Sequence, residues 1–328
     1  MGTYIIRRIL YFIPTLFIIS VLSFLIIQAP PGDYLTTRIH KMKKQYGSSA
    51  DAKIERLRDR FGLDKPIHVQ YYNWMKGIIL RGDFGQSFVS NRSVSSILKE
   101  RIPWTILLSL CGLLFTNAVA IPIGLYSAVK QYSIFDYVFT FLAFLGRSVP
   151  NFFLALVLMV ALFKLFGVSV GGLFSEQYQG APWSIGKVLD LAIHLIVPTV
   201  VIGTAGTAGT VRVLRGMMLD ELNKEYIETA RAKGLPEWIV ILKHAFKVAA
   251  RPMIATVGWL LPNLIGGAMI VSIVLSLPTT GSAMLNAIMN QDMYLVGSFV
   301  MITSVLTVIG TLISDILLAW IDPRIRFE

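Results

Sequence analysis

Long apolar segments alternate with short charged ones along most of the chain. Windows of about 20 mostly apolar residues are bounded by charges, prolines or glycines, and a helix of that length crosses the hydrocarbon core of a bilayer. Six such windows lie at approximately residues 9–27, 104–129, 137–163, 191–211, 253–277 and 296–321. The pattern therefore predicts an all-α integral membrane protein with six transmembrane helices.

Basic residues beside the windows predict their orientation. Arg7 and Arg8 precede the first window, Lys130 follows the second, and further arginines follow the last. With six spans these flanks share one side, which the positive-inside rule assigns to the cytoplasm. Both termini are then cytoplasmic, as are residues 212–251, which are rich in Lys and Arg. The first window is long for a signal peptide and no cleavage pattern follows it, so we expect a retained anchor.

Three regions follow from this topology. Residues 1–30 form an N-terminal anchor helix, residues 31–101 an extracytoplasmic segment, and residues 102–328 a five-helix core that contains the cytoplasmic loop at about 212–251. Within the extracytoplasmic segment, IERLRDRFGL predicts a helix ending at Gly62, and DKPIHVQYYNWMKGIIL suits packing on the membrane surface or on the rest of the protein. We expect a small ordered subdomain here; a tethered loop with one amphipathic helix is the alternative.

Composition supports a membrane protein and argues against bond chemistry in this chain. It is 55% hydrophobic with a mean hydropathy of +0.65, outside the range of soluble domains. The net charge of +11 is better explained by a membrane-bound basic surface than by nucleic-acid binding. GAPWSIGK departs from the spacing of a phosphate-binding loop, the histidines are scattered, and Cys111 is the single cysteine. We therefore expect no catalytic residue, no metal site and no cofactor in the chain itself.

Two features inside the predicted spans are candidates for a solute path. Arg147 lies well inside the third window, where a charge faces protein or water rather than lipid. It either lines a path or forms a structural ion pair, for which Asp315 is a possible counter-charge. The run GTAGTAGT in the fourth window lets helices approach closely or leaves a path open beside the helix. The candidate path residues are Arg147, Gly203, Gly206 and Gly209.

The loop between the fourth and fifth windows contains EYIETARAKGL, a charged stretch in an apolar chain. Asn223 is suited to cap a short helix that ends at Gly234, and Pro236 is suited to begin a second helix through PEWIVILKHAFKV. Tyr226, Ala230 and Gly234 are four residues apart, which predicts one helix face of low relief. Such a face accepts another protein's surface at close range; a solvated connector is the alternative.

Part of this stretch resembles the EAA loop of permeases from binding-protein-dependent ABC importers. The matching pattern is E-T-A-x-x-x-G, and its residues are Glu228, Thr229, Ala230 and Gly234. RRILYFIPTL, PPGD, FGLDKPIHVQYYNW, GDFGQS, HAF and DPRIR, spread over nearly the whole chain, are similar to the dipeptide, oligopeptide and nickel permeases, in the first of their two permease subunits. Thr229 replaces the second Ala of the family pattern and keeps that position small.

The resemblance implies an ABC importer type I permease fold in the cytoplasmic membrane of a prokaryote. Its implied partners are a second permease subunit, two ATP-binding subunits that hold the ATP and Mg, an extracytoplasmic solute-binding protein and the lipid bilayer, with no nucleic acid. In this family the loop forms coupling helices that sit in a cleft of the ATPase and drive alternating access. The implied coupling residues are Tyr226, Glu228, Thr229, Ala230 and Gly234.

The resemblance leaves the cargo open. Oligopeptides are the family default, oligosaccharides a close alternative and nickel a weaker one. LPTTG at 277–281 departs from the aromatic-Pro-Gly turn that the family often shows, and Arg147 stands where the family usually has an uncharged residue. Readings from other classes are a stand-alone secondary transporter or channel, which needs coupling ions or charges within the spans, and a receptor or scaffold without transport.

Overall fold

The computed structural model describes residues 2–28, 65–87, 89–255 and 269–321. Within these ranges the regular structure is helical, apart from an isolated bridge between Gln86 and Ser93. The first helices in chain order are α1 (Gly2–Gln28), α2 (Ile67–Arg81), α3 (Val94–Val129), α4 (Ile134–Ser148), α5 (Asn151–Phe166) and α6 (Ile185–Leu222). They are followed by α7 (Glu225–Ala232), α8 (Glu237–Ile239), a π-helix (Val240–Ala245), α9 (Phe246–Ala249), α10 (Arg251–Ala255), α11 (Met269–Val274), α12 (Thr280–Met289) and α13 (Met293–Ile321).

Four of these helices are long and apolar enough to cross a membrane. They are α1, α3, α6 and α13, and the pair α4 and α5 gives a fifth span if it is counted as one. The fifth predicted window, 253–277, falls partly on residues outside the described ranges, so the count of six stays a prediction. The predicted all-α membrane architecture is confirmed.

The third predicted window is not one straight helix. It divides into α4 and α5, which meet at an angle of 101° around Val149 and Pro150. Proline has no backbone N–H and disfavours a helical conformation in the residue before it, so a helix ends at this point. Pro150 is instead the residue before α5, a position whose N–H would form no hydrogen bond within that helix, so proline is tolerated there.

The described part of residues 31–101 packs on the bundle end opposite the charged loop. Trp74 of α2 is buried against Phe24 of α1 and Phe299 of α13, and its Nε1 donates to the carbonyl of Phe84 at 3.2 Å. Ser87 is hydrogen-bonded to the buried carboxylate of Asp292. The stretch from residue 65 onward therefore packs on the protein, as one alternative expected; the helix predicted to end at residue 62 lies outside the described residues.

Candidate functional site

The charged loop folds into a short helix, a sharp turn and a second helical segment. Helix α7 begins after Lys224, and its first turn carries Glu225 and Glu228, which favour the positive end of the helix dipole. Its last helical residue is Ala232, Lys233 follows as the C-cap, and Gly234 comes next with a φ of 74°, a left-handed conformation that favours glycine. The predicted helix end at Gly234 is confirmed.

The predicted cap of this helix is wrong. Asn223 closes the preceding helix α6 instead, and its side-chain Nδ2 donates to the carbonyl of Leu219 at 3.0 Å. Lys224 is the residue before α7 and gives it no side-chain cap. The second segment begins after Pro236 as predicted, but it runs through a π-helix at Val240–Ala245. Single π turns widen a helix locally and are frequent at functional sites.

Helix α7 is held to its own chain by an apolar inner face. Ile227 and Ala230 are buried, and they pack in one cluster with Leu214 and Met218 of α6 and with Val240. Ala230 is therefore small because α7 lies close against these residues. An eight-residue helix is too short to be stable alone, so this burial is what maintains it.

The expected single face of Tyr226, Ala230 and Gly234 does not form. Ala230 points inward, Tyr226 is 40% exposed, and Gly234 lies beyond the last helical residue, where the chain has already turned. A spacing of four residues places side chains on one face only while the helix continues. The backbone shows instead an exposed bend with nothing within 4 Å of a Cβ added at Gly234.

A buried carboxylate fixes the start of α7. Glu221, at the end of α6, accepts hydrogen bonds from the Tyr226 hydroxyl and the Lys224 Nζ, each at 2.5 Å. Burial, together with the hydrogen bond to Glu221 and its charge, raises the pKa of Tyr226 to about 12. Tyr226 therefore stays a neutral donor at physiological pH and joins α7 to α6.

The outer surface of the loop contains apolar side chains that the sequence reasoning missed. Leu235 is 36% exposed, Trp238 65% and Leu242 49%, and they follow the bend at Gly234 with spacings of three and four. Leu235 precedes α8, Trp238 lies in it and Leu242 lies in the π-helix, and their apolar character was available from the sequence. Glu228 and Thr229, on α7 before the bend, are exposed as well. The surface formed by Glu228, Thr229, Gly234, Leu235, Trp238 and Leu242 is called the loop surface below.

An exposed ion pair joins the two sides of the bend. Arg231 Nη2 lies 2.7 Å from Glu237 Oε1, and the Arg231 Nε lies 3.2 Å from the other carboxylate oxygen. The hydrogen bond from Arg231 lowers the pKa of Glu237 below its usual value. Both side chains are largely exposed, so the pair orients the bend and adds little stability.

Arg147 and Asp315 do not meet. Asp315 of α13 pairs with Arg8 of α1 at 3.2 Å and so joins the two helices. Arg147, in the last turn of α4, is exposed, and a Cβ added at Gly209 of α6 would lie 3.9 Å from its Nη1. Across the described ranges Arg147 forms no ion pair. The idea that Asp315 balances Arg147 is wrong.

The other two path glycines lie in a helix contact. A Cβ at Gly203 would overlap the ring of Phe115, and one at Gly206 would lie 3.2 Å from Thr116 Oγ1, both on α3. Thr116 Oγ1 also donates to the Gly203 carbonyl at 2.9 Å. Small residues that let backbones approach and form such bonds are typical of membrane helix packing. Close packing thus explains Gly203 and Gly206, and Gly209 alone faces Arg147.

The LPTTG turn sits where α11, α12 and α3 meet. Thr280 begins α12, and its N–H donates to Thr105 Oγ1 of α3 at 2.9 Å. Thr279 and Ser109 line a cavity of about 10 Å³ beside this bond, which is the room one water needs. The Thr279 Oγ1 is buried and has no hydrogen-bond partner among the described residues. The turn therefore places its hydroxyl groups against α3, beside Thr105 and Ser109.

Comparison with known proteins covers almost the whole chain. Residues 120–327 match the family described as binding-protein-dependent transport system inner membrane component, and residues 1–109 match the corresponding N-terminal domain. The chain belongs to this family. The predicted family resemblance is confirmed, and the chain is a multi-pass membrane component of a transport system.

Full-length relatives within the family include named peptide permeases. The chain is 37% identical to the oligopeptide transport system permease protein AppB of Bacillus subtilis, over 100% of both chains. It is 32% identical to the dipeptide transport system permease protein DppB of Escherichia coli K12, again over 100% of both chains. Similarity to the oligopeptide transport system permease protein OppB of Haemophilus influenzae is 31% identity over 100% of both chains.

Proposed function

We propose that this chain is one permease subunit of an ATP-driven importer that moves oligopeptides across the cytoplasmic membrane of a prokaryote. The observation that carries the proposal is the similarity, over the full length of both chains, to relatives named as oligopeptide and dipeptide permeases. The folded loop adds a physical reason, because an apolar membrane chain without a nucleotide-binding motif presents a rigid, exposed surface at one end. Oligosaccharide and nickel cargo have no comparable support.

The loop surface is the docking site for an ATP-binding subunit. Exposed Trp and Leu side chains around a bend are suited to fill a cleft on a partner, and aromatic residues dominate the energetics of such contacts. Glu228, Thr229 and Gly234 lie on this surface, whereas Tyr226 and Ala230 hold α7 in place beneath it. The two kinds of coupling residue therefore act differently: some contact the partner and others transmit its movement to α6.

The rest of the machine follows from the family. A second permease subunit completes the path, two ATP-binding subunits hold ATP and Mg, and an extracytoplasmic solute-binding protein delivers the peptide. The basic flanks support a cytoplasmic position for both termini and for the loop surface. Closure of the ATPase pair would pull the loop surface and, through Glu221 and Ile227, move α6 during alternating access.

Two tryptophans of similar exposure allow a matched test. Trp238 is 65% exposed on the loop surface, and Trp183, 63% exposed, lies on the chain before α6 at the far end of that helix. The importer is expressed with Trp238→Asp or Trp183→Asp in this chain and purified through the second permease. We expect Trp238→Asp to lose the ATPase subunits and ATP-dependent uptake of a labelled oligopeptide, and Trp183→Asp to keep the ATPase subunits.

Three outcomes would overturn this proposal. ATPase association and peptide uptake by Trp238→Asp at the wild-type level would remove the docking role of the loop surface. Peptide uptake by the wild-type complex without ATP would indicate a secondary transporter. ATP-dependent uptake of an oligosaccharide or of nickel, but of no peptide, would refute the proposed cargo.

A further inference from the structure

Arg147 is a charged side chain inside the predicted third span, with no ion-pair or hydrogen-bond partner among the described residues. It lies about 16 Å along α4 from Asp136 at 1.5 Å per residue, and Asp136 stands at the edge of the predicted span. The side chain is exposed in the isolated chain and lies beside Gly209 of α6. An arginine this far inside a membrane is costly against lipid, so it faces protein, water or a bound solute.

The acidic groups that could neutralise Arg147 are all engaged elsewhere. Three carboxylates lie inside the predicted spans or one residue from their edges within the described ranges, and each has its own partner. These are Asp315 with Arg8 at 3.2 Å, Asp136 with Arg215 at 3.0 Å, and Asp190 with the Ser175 backbone N–H at 2.8 Å. The described residues therefore supply no carboxylate to the Arg147 guanidinium, which stays available to an anion from outside the chain.

Arg147 lies in the last turn of α4, whose C-terminal carbonyls favour its positive charge, and just before a helix N-terminus that favours an anion. The break between α4 and α5 places the N-terminus of α5 four residues later in the chain, and Pro150 gives that helix no side-chain cap. Phe153 and Leu154 donate their N–H groups to the Pro150 carbonyl at 2.9 and 3.0 Å, which leaves the first two N–H groups of α5 to attract negative charge. Arginine itself presents paired donors that match the two oxygens of a carboxylate. Both features point to the same ligand chemistry.

We infer that Arg147 binds the C-terminal carboxylate of the peptide as it passes through the membrane. This inference rests on the proposed function, because a peptide with a free C-terminus is the cargo that carries such a group regardless of its sequence. A single main-chain carboxylate contact also fits a path that must accept varied side chains. Gly209 puts no side chain against the guanidinium, since a Cβ there would lie 3.9 Å from the Arg147 Nη1.

The test uses the complete importer in proteoliposomes and two labelled peptides of one sequence, one with a free C-terminus and one amidated. Each is supplied with saturating solute-binding protein, and uptake by a variant is divided by wild-type uptake of the same peptide. We expect Arg147→Gln to lower this ratio about tenfold for the free acid and to leave it near one for the amide. Arg147→Lys keeps part of the free-acid uptake, because it preserves the charge but not the paired donors.

A second basic side chain provides the control. Lys164 is exposed near the end of α5, and Lys164→Gln removes one positive charge without touching the break between α4 and α5. We expect both peptides to keep wild-type ratios with this variant. A selective loss of free-acid uptake with Lys164→Gln as well would show a general charge effect and overturn the assignment to Arg147.

Other results would also reject the site. Equal loss of both peptides in Arg147→Gln, or loss of the second permease on purification, would mean that Arg147 holds the structure or pairs with the partner permease. Unchanged uptake of both peptides would mean that it does not contact cargo. If the wild-type complex imports neither peptide, the proposed function itself fails, and that outcome is distinct from all the others.

Discussion

Helix α7 should lose its local stability when Ile227 is truncated. Ile227 is fully buried among Leu214, Met218 and Val240, and eight residues of helix cannot hold their fold without that contact. Ile227→Ala removes three buried carbons, worth about 2.5 kcal/mol at roughly 0.8 kcal/mol each. Measured costs of this substitution in protein cores span about 2–5 kcal/mol. Local opening of α7 should therefore become about 60-fold more frequent, since every 1.4 kcal/mol is a factor of about ten.

Hydrogen exchange read by mass spectrometry measures this opening directly. Peptides covering residues 225–232 should exchange about 60-fold faster in Ile227→Ala, while peptides from the middle of α3 stay protected. Glu228→Ala, one residue along the same helix but exposed, is the control and should exchange at nearly the wild-type rate. If Ile227→Ala were as protected as wild type, or if both variants opened equally, burial of Ile227 would not be what maintains α7.

Further predictions concern the helix contact, the LPTTG turn and the bend. Gly203→Ala should lower the melting temperature, because the new Cβ would overlap Phe115 and overpacking costs about 1–3 kcal/mol. Gly216→Ala is the control, since Gly216 lies in the same helix with open space around it, and it should leave the melting temperature unchanged. Equal effects of the two substitutions would contradict the contact with Phe115. Thr105→Val should destabilise by about 1–3 kcal/mol in thermal unfolding by orphaning the buried Thr280 N–H, and Thr105→Ser should restore most of the loss. Because Arg231 lowers the pKa of Glu237, the ion pair stabilises the fold above the usual carboxyl pKa of 4.5, and this stability is lost as the pH falls through the lower folded pKa. Both side chains are largely exposed, so Glu237→Gln should lower the free energy of unfolding by no more than about 0.5 kcal/mol at pH 7. A larger loss at pH 7 would mean that the pair is more than a surface salt bridge.

Much of the fold could be predicted because a long apolar segment that crosses a membrane is stable as an α-helix. Every backbone N–H and C=O must be paired within the helix, so window length and flanking charge predict spans without knowledge of tertiary contacts. The break between α4 and α5 at Pro150 could also be predicted from the sequence, since proline ends helices for a local steric reason. Local chemistry likewise predicted the end of α7 at Gly234, where the backbone adopts a positive φ.

The candidate site was only half visible in the sequence. The residue pattern located the charged loop and its family likeness, but it did not single out the exposed apolar side chains of Leu235, Trp238 and Leu242. Periodicity could not tell that Ala230 faces inward, because the direction of a short helix is set by what it packs on. Likewise, spacing alone did not show that Asn223 belongs to the end of α6 rather than to the start of α7.

By itself, the sequence determined a helical membrane permease with a charged loop between apolar windows, because hydrophobic length, flanking charge and local turn chemistry act within a few residues. Only the tertiary structure decided which residues meet. It paired Asp315 with Arg8, turned Gly203 and Gly206 toward α3, and left Arg147 beside Gly209 without a carboxylate from the described chain. Such partners lie tens to hundreds of residues apart, and their contacts depend on how whole helices pack rather than on any local pattern.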